Sequence, residues 1–324
     1  MPQASYPYAI GRVKALEPSM LDQSKIRRLT AADTEDFFKV LLEMGYGTSA
    51  NLDEGLEGII KRELKEARRL VWEITPEPEV TKLFFLHIDA HNLKVLFKAR
   101  ALGEDYAGLL EEGGVFPIEI LEKSVMEKTY VLLPDPLKRE LEELEKTLLR
   151  SISPRIISIT VEKAIFGYIE KVVSETKNDY AGKYYATLAD LTNIRSLIRA
   201  RVLKWDEETF TALIIPCGTI SKSDLKAAYN VPMEQLSMCF AKGPYADKLA
   251  VAIEECAEKS TATPIEKRLE AVLMQLARSG KLDTSGLGAI LGYLIGKEAE
   301  ARALSDIYIT KKKGVEPEIP ELYM

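Results

Sequence analysis

The sequence predicts an all-α protein made of three similar helical modules. Helix start signals recur along the 324 residues, and one twelve-residue pattern with helical spacing occurs twice. Strand signals are sparse. The β-branched stretch Ile156 to Val161 could form a strand, but it continues into an apolar pattern of helical period, which favours a helix there. These observations favour helices joined by turns over any sheet.

Start and end signals place several of the helices. Ser153 stands before a proline and Ser221 before an acidic first turn, and both are typical N-cap residues. Thr30 predicts another N-cap, ahead of the helix that contains Phe37. The glycine-rich segment 45–47 is expected to end that helix in a turn, since glycine is common just past helix ends.

The repeated pattern is the most informative feature of the chain. It runs from Asp89 to Arg100 and again from Asp190 to Arg201, a shift of 101 residues. Identical or closely similar residues stand at most of its places, and its apolar positions fall three and four apart, on one helix face. A repeat of this length indicates a chain built by multiplying one module.

A fainter third copy occupies 293–304. In the predicted alignment, Glu300-Ala301-Arg302 takes the place of Asn92-Leu93-Lys94 and of Asn193-Ile194-Arg195. Three modules then account for the chain, with approximate bounds 1–110, 111–212 and 213–324. The repeat signature consists of Asp89, Asn92, Lys94, Asp190, Asn193, Arg195, Glu300 and Arg302.

The Asp/Asn pairs of the first two copies have two interpretations. Asp89 and Asn92 are three residues apart, so they are neighbours on a helix and could act as ligands or catalysts. A polar contact that fixes how helices meet is the favoured interpretation. His91 lies between them, but Thr192 takes its place in the second copy and cannot act as a general base.

Composition excludes several classes of function. The formal net charge of −6 argues against a general nucleic-acid binder. The three cysteines fit a reducing compartment, and no Cys-x-x-Cys or His-Glu-x-x-His spacing points to a metal site. No phosphate loop or nucleophile elbow is present, so we expect no catalytic, cofactor-binding or metal-binding residues.

Two further features lie in the last forty residues. Gly288, Gly292 and Gly296 are four apart, a stripe of small residues expected to pack closely against another helix. The apolar stretch around them, 287–295, is about half the length needed to cross a bilayer. The run 311–313 is all lysine, and either a solvated helix end or a contact with an acidic partner or lipid head group would explain it.

Taken together, these motifs resemble the C subunit of the A/V-type rotary ATP synthases, the family that includes the d subunit of the vacuolar ATPase. The segments 8–16, 42–47 and 89–94 carry the resemblance, with 191–195 and 293–300 in the expected order. The early helix ends with Gly45 where the family usually has threonine, a difference that affects a helix end only.

The resemblance implies an all-helical funnel of three subdomains with pseudo-threefold symmetry. It implies a non-catalytic rotor component on the cytoplasmic face of the membrane, between the D- and F-type central shaft subunits and the proteolipid ring. No nucleic acid is expected as a partner, and the isolated chain is expected to be a monomer. A helical adaptor that binds a protein in a groove is the alternative, and an enzyme with a novel site is the third hypothesis.

Overall fold

Helices are the only regular secondary structure in the described part of the chain. The computed structural model describes residues 5–47, 55–149, 153–240, 246–259, 261–281, 286–317 and 319, and no strand occurs among them. In chain order the helices are α1 (Tyr6–Leu16), α2 (Gln23–Ala31), α3 (Phe37–Glu43), α4 (Gly55–Ile74), α5 (Pro78–Thr81), α6 (Leu86–Leu102), α7 (Ile118–Met126), α8 (Asp135–Leu148), α9 (Pro154–Thr176), α10 (Asp179–Val202), α11 (Glu207–Leu213), α12 (Lys222–Tyr229), α13 (Leu236–Cys239), α14 (Ala246–Lys259), α15 (Thr263–Lys281) and α16 (Leu287–Lys312). The predicted all-α class is confirmed.

Several predicted helix boundaries agree with the structure. Ser153 caps α9 by accepting a hydrogen bond from the amide of Ile156, and Ser221 caps α12 in the same way. The β-branched stretch 156–161 lies inside α9, so the apolar period correctly favoured a helix there. Gly45 and Gly47 have φ values of +78° and +76° in the turn that follows α3.

The predicted N-cap at Thr30 is wrong. Thr30 lies in the last turn of α2, and its hydroxyl donates to the carbonyl of Ile26, 2.9 Å away. The next helix begins only at Phe37, preceded by Asp36. A threonine side chain can bond the carbonyl four residues back as readily as it caps a helix start, and the sequence alone does not distinguish the two.

Two compact units divide the chain. The first combines Met1–Pro78 with Glu270–Met324, so the two ends of the chain share one core, and the second is Glu79–Leu269. In the first unit, α16 packs against α4 and α1. In the second, α9 packs against α6, α8 and α10, while α6 contacts α7 and α10 contacts α11 and α12.

The last helix, α16, is buried along most of its length. Gly288, Gly292 and Gly296 are all among its buried residues. Their predicted close packing against another helix stays a prediction. Over the residues described, no helix combines the length and the apolarity that crossing a membrane requires.

A buried lysine joins α16 to α4. The ammonium of Lys297 lies 3.2 Å from a carboxylate oxygen of Glu63 and 3.2 Å from one of Glu300. Burial alone would lower the pKa of Lys297, but the two carboxylates outweigh it and raise that pKa. The lysine therefore stays charged within the core of the first unit, where both carboxylates compensate the cost of burying it.

Candidate functional site

The repeated aspartates bind the start of a short helix. Asp89, fully buried on α6, accepts hydrogen bonds from the backbone amides of Val115 at 2.7 Å and Phe116 at 3.0 Å. These residues lie just before α7, whose N-cap position holds a proline that offers no side-chain cap. Asp89 thus satisfies amides at the entry to this helix.

Asp190 plays the same part for α12. It is fully buried on α10 and accepts from the amide of Ile220 at 3.0 Å and from the hydroxyl of Thr219 at 2.5 Å. Phe116 and Ile220 each stand two residues before the first residue of their helix. A carboxylate at this end of a helix is also favoured by the helix dipole.

A glycine lets the backbone approach each aspartate. A Cβ atom on Gly114 would lie 2.5 Å from a carboxylate oxygen of Asp89, and one on Gly218 would lie 2.4 Å from an oxygen of Asp190. Both distances are far inside van der Waals contact. The glycine turns that follow the two repeat copies are therefore required by the buried carboxylates.

The repeated asparagines bind the connecting segments. The side-chain amide of Asn92 donates to the carbonyl of Glu111 and accepts from the amide of the same residue, both at 2.8 Å. Asn193 makes the same reciprocal pair with Ile215, at 3.1 Å and 2.9 Å. Each asparagine thus satisfies both backbone groups of one loop residue and fixes the loop against its helix.

The arginines that end the pattern bind the far end of the short helices. Arg100 donates to the carbonyl of Val125, in the last turn of α7, and its guanidinium also pairs with Glu145 at 2.7 Å. Arg201 donates to the carbonyls of Tyr229 and Val231, the latter at 2.6 Å. Free carbonyls at a helix end accept such bonds, and the dipole favours a cation there.

We call these two arrangements the first clamp (Asp89 and Arg100, holding α7) and the second clamp (Asp190 and Arg201, holding α12). In each, one long helix holds a short helix at both of its ends. The predicted packing role of the aspartate and asparagine pairs fits this geometry.

Related contacts involve the ends of the chain. Glu300, on α16, accepts from the backbone amide of Leu21 at 2.6 Å. Lys311, on the same helix, donates to the carbonyl of Thr30 at 2.6 Å and to that of Ala32. The first lysine of the run 311–313 is therefore bound to the end of α2, whereas Lys312 lies over the ring of Tyr308.

The remaining residues of the predicted signature have different surroundings. Lys94 pairs with Glu162 of α9. Arg195 is half-buried, and Arg302 is exposed on α16. The exposure of Arg302 therefore differs from that of Lys94 and Arg195, which are both half-buried.

The titratable side chains His91 and Asp89 of the first repeat copy both bond backbone groups. His91 is exposed, and its ring nitrogen Nε2 bonds the carbonyl of Leu109 at 2.9 Å. Burial raises the pKa of Asp89 to about 6, although the amides of Val115 and Phe116 act to lower it. That carboxyl accepts bonds from backbone donors, and the searched part of the chain contains no group of side chains suited to a metal ion.

Sequence reasoning missed the roles of Arg100, Arg201 and Lys311. The two arginines are identical in the repeat, and a polar residue repeated at a helix end is the signal that could have identified them. Lys311 gave no such signal, because lysine runs at helix ends are common and mostly solvated. Its partners lie 279 and 281 residues earlier in the chain.

Comparison with known proteins finds relatives that align over most of this chain. The model of the ATP synthase (C/AC39) subunit family matches residues 9–322. The C subunit of the A-type ATP synthase of Pyrococcus abyssi is 24% identical, over 97% of this chain and 88% of the relative. Its counterpart from Methanocaldococcus jannaschii is also 24% identical, over 97% of this chain and 85% of the relative.

A subunit of a sodium ATPase is also similar to this chain, over a smaller part of its length. The C subunit of the V-type sodium ATPase of Enterococcus hirae is 22% identical, over 80% of this chain and 79% of the relative. The family model covers nearly the whole chain, from the first helix to beyond the last. The chain therefore belongs to the ATP synthase (C/AC39) subunit family.

Proposed function

We propose that this chain is a non-catalytic central-stalk component of an A/V-type rotary ATP synthase. It links the central shaft to the membrane proteolipid ring and transmits torque for ion transport. The observation that carries the proposal is the family match from residue 9 to residue 322, supported by relatives named as the C subunit of such enzymes over most of their length.

The internal geometry suits a mechanical part. Torque passes through a protein only if its elements move together, and closely packed interiors transmit strain. In this chain the first and second clamps hold short helices at both ends, and Lys297 ties α16 to α4 through Glu63. These contacts support stiffness within each of the two units, and none of them prepares a group for chemistry.

The proposed arrangement follows the family. Three helical modules, with approximate bounds 1–110, 111–212 and 213–324, form a funnel with pseudo-threefold symmetry. The D- and F-type shaft subunits enter the funnel, and the cytoplasmic loops of the ring meet the opposite, more polar face. The chain is thus peripheral, at the cytoplasmic face of the membrane.

Co-purification tests this assignment. A complex isolated through an affinity tag on this chain should contain the shaft subunits and the proteolipid ring, with one copy of the chain per complex. Native mass spectrometry measures the composition and the copy number. Capture of another protein without shaft or ring would contradict the proposal and favour the helical adaptor.

A further inference from the structure

The contacts of Glu300 and Lys311 have the same spacing as the two clamps. Asp89 and Arg100 are eleven residues apart, and so are Asp190 and Arg201. Glu300 and Lys311 are also eleven residues apart, on α16. In each case the acid comes first and the cation second along one long helix.

The backbone groups that Glu300 and Lys311 bind also stand at the positions that the first and second clamps bind. Glu300 accepts from the amide of Leu21, which stands two residues before the start of α2, as Phe116 stands before α7 and Ile220 before α12. Lys311 donates to carbonyls at the end of α2, as Arg100 and Arg201 do at the ends of their short helices.

The bound residues of α2 and α7 are separated by the same number of residues at both ends of the helix. Leu21 lies 95 residues before Phe116, and Thr30 lies 95 residues before Val125. Both α2 and α7 have nine residues. A chance pair of contacts would have no reason to preserve one offset at both ends of a helix.

We propose that Glu300 and Lys311 form a third clamp, which holds α2 and closes the two ends of the chain into one repeat unit. The repeat unit is then a long helix together with the short helix that follows it, and for α16 that short helix stands at the start of the chain. In this arrangement Glu300 corresponds to Asp89 and Asp190. The sequence alignment matches Glu300 with Asn92, so the two alignments differ by three residues.

One difference between the copies has a steric explanation. The aspartates of the first two clamps require Gly114 and Gly218 beside them. The corresponding position in the third clamp is Ser19, two residues before Leu21. The acid there is a glutamate, which is longer by one methylene group and reaches the same amide from farther away.

Hydrogen–deuterium exchange on the full-length chain tests the third clamp. The variants Glu300→Gln and Lys311→Met should accelerate amide exchange in residues 21–32 by about tenfold or more, because hydrogen bonds to charged groups are lost. Exchange in α7 and α12 should not change. Arg100→Met should accelerate exchange in α7 and leave residues 21–32 as they are.

Two matched variants serve as controls. Lys313→Met makes the same substitution at an exposed lysine two residues away and should leave exchange in residues 21–32 unchanged. Lys311→Arg should preserve protection, since the first two clamps use arginine at this place.

Two results would overturn the proposal. One is unchanged exchange in residues 21–32 for Lys311→Met, and the other is an equal acceleration in all three short helices, which indicates general loosening. If Glu300→Gln does not fold, Lys311→Met and Lys311→Arg decide the question between them.

Discussion

Helices α6 and α10 carry the same pattern and hold their partners in slightly different ways. Asp89 binds two backbone amides, whereas Asp190 binds one amide and the hydroxyl of Thr219. The helices are offset by 101 residues, but the segments that they bind are offset by 104. The second connection is therefore three residues longer.

The repeat preserves the contacts of the long helix with the short helix and not the length of the connection between them. The added residues are absorbed in the connection, while the contacts at both ends of the short helix stay in place. The fixed quantity is the spacing of acid and cation along the long helix, because that spacing matches the length of the short helix. Loop length is free to vary, as the slow growth of loop entropy with length allows.

The largest expected effect comes from removing either aspartate. Asp89→Ala and Asp190→Ala should each reduce the free energy of unfolding by about 3 kcal/mol, because each removes a fully buried carboxylate and leaves half-buried backbone amides, those of Val115 and Phe116 or that of Ile220, without their acceptor. Chemical denaturation measures the loss. A loss for one variant only would show that the two helices do not hold their partners equivalently.

The glycine stripe of α16, which α6 lacks, should give the next largest effect. Gly292→Leu should cost about 2–3 kcal/mol by overpacking a buried helix face, and should lower the melting temperature. Gly11→Leu is the control, since Gly11 is exposed on α1 and a Cβ there meets nothing within 4 Å. An unchanged melting temperature for Gly292→Leu would refute close packing of the stripe.

The two turn glycines test the contact with the aspartates. Gly114→Ala and Gly218→Ala should each cost about 2 kcal/mol, since an added Cβ forces a buried carboxylate away from its donors. In a double-mutant cycle, Gly218→Ala should cost much less when Asp190 is already alanine. Strict additivity of the two changes would contradict the steric explanation.

The pKa of Asp89 predicts a pH dependence. It is raised from 3.8 to about 6 in the folded chain, so the folded state binds the proton more tightly than the unfolded state. The resulting stabilisation is fully present below about pH 4 and is lost as the pH rises through about 6. Relative to Asp89→Asn, the native chain should gain about 1 kcal/mol between pH 7 and pH 5, measured by denaturation at each pH. A stability difference independent of pH would contradict the raised pKa.

The smallest expected effect concerns His91. Its only described partner is the carbonyl of Leu109, and its counterpart is Thr192. His91→Thr should change the free energy of unfolding by about 0.5 kcal/mol or less. ATP hydrolysis by the assembled complex should be unaffected, and a large loss in that assay would revive a catalytic role.

Much of this architecture was predictable from the sequence, and the limits have physical causes. The helical class, the cap at Ser153 and the duplicated pattern follow from local preferences and periodicity. The contact of Asp89 with the entry to α7 was foreseen only as a polar packing contact, because its partners are backbone amides and leave no trace in side-chain identity. The bond from Lys311 to the end of α2 joins residues 281 apart, and no local preference encodes it.

The proposed role in coupling is tested most directly by ion transport in a reconstituted complex. ATP-driven ion uptake into liposomes is measured for the complete complex, for the complex without this chain, and after the purified chain is added back. If this chain transmits torque, its removal should leave ATP hydrolysis in place and abolish ion uptake, which the added chain should restore. Ion uptake that stays coupled to hydrolysis without this chain would contradict the proposed role.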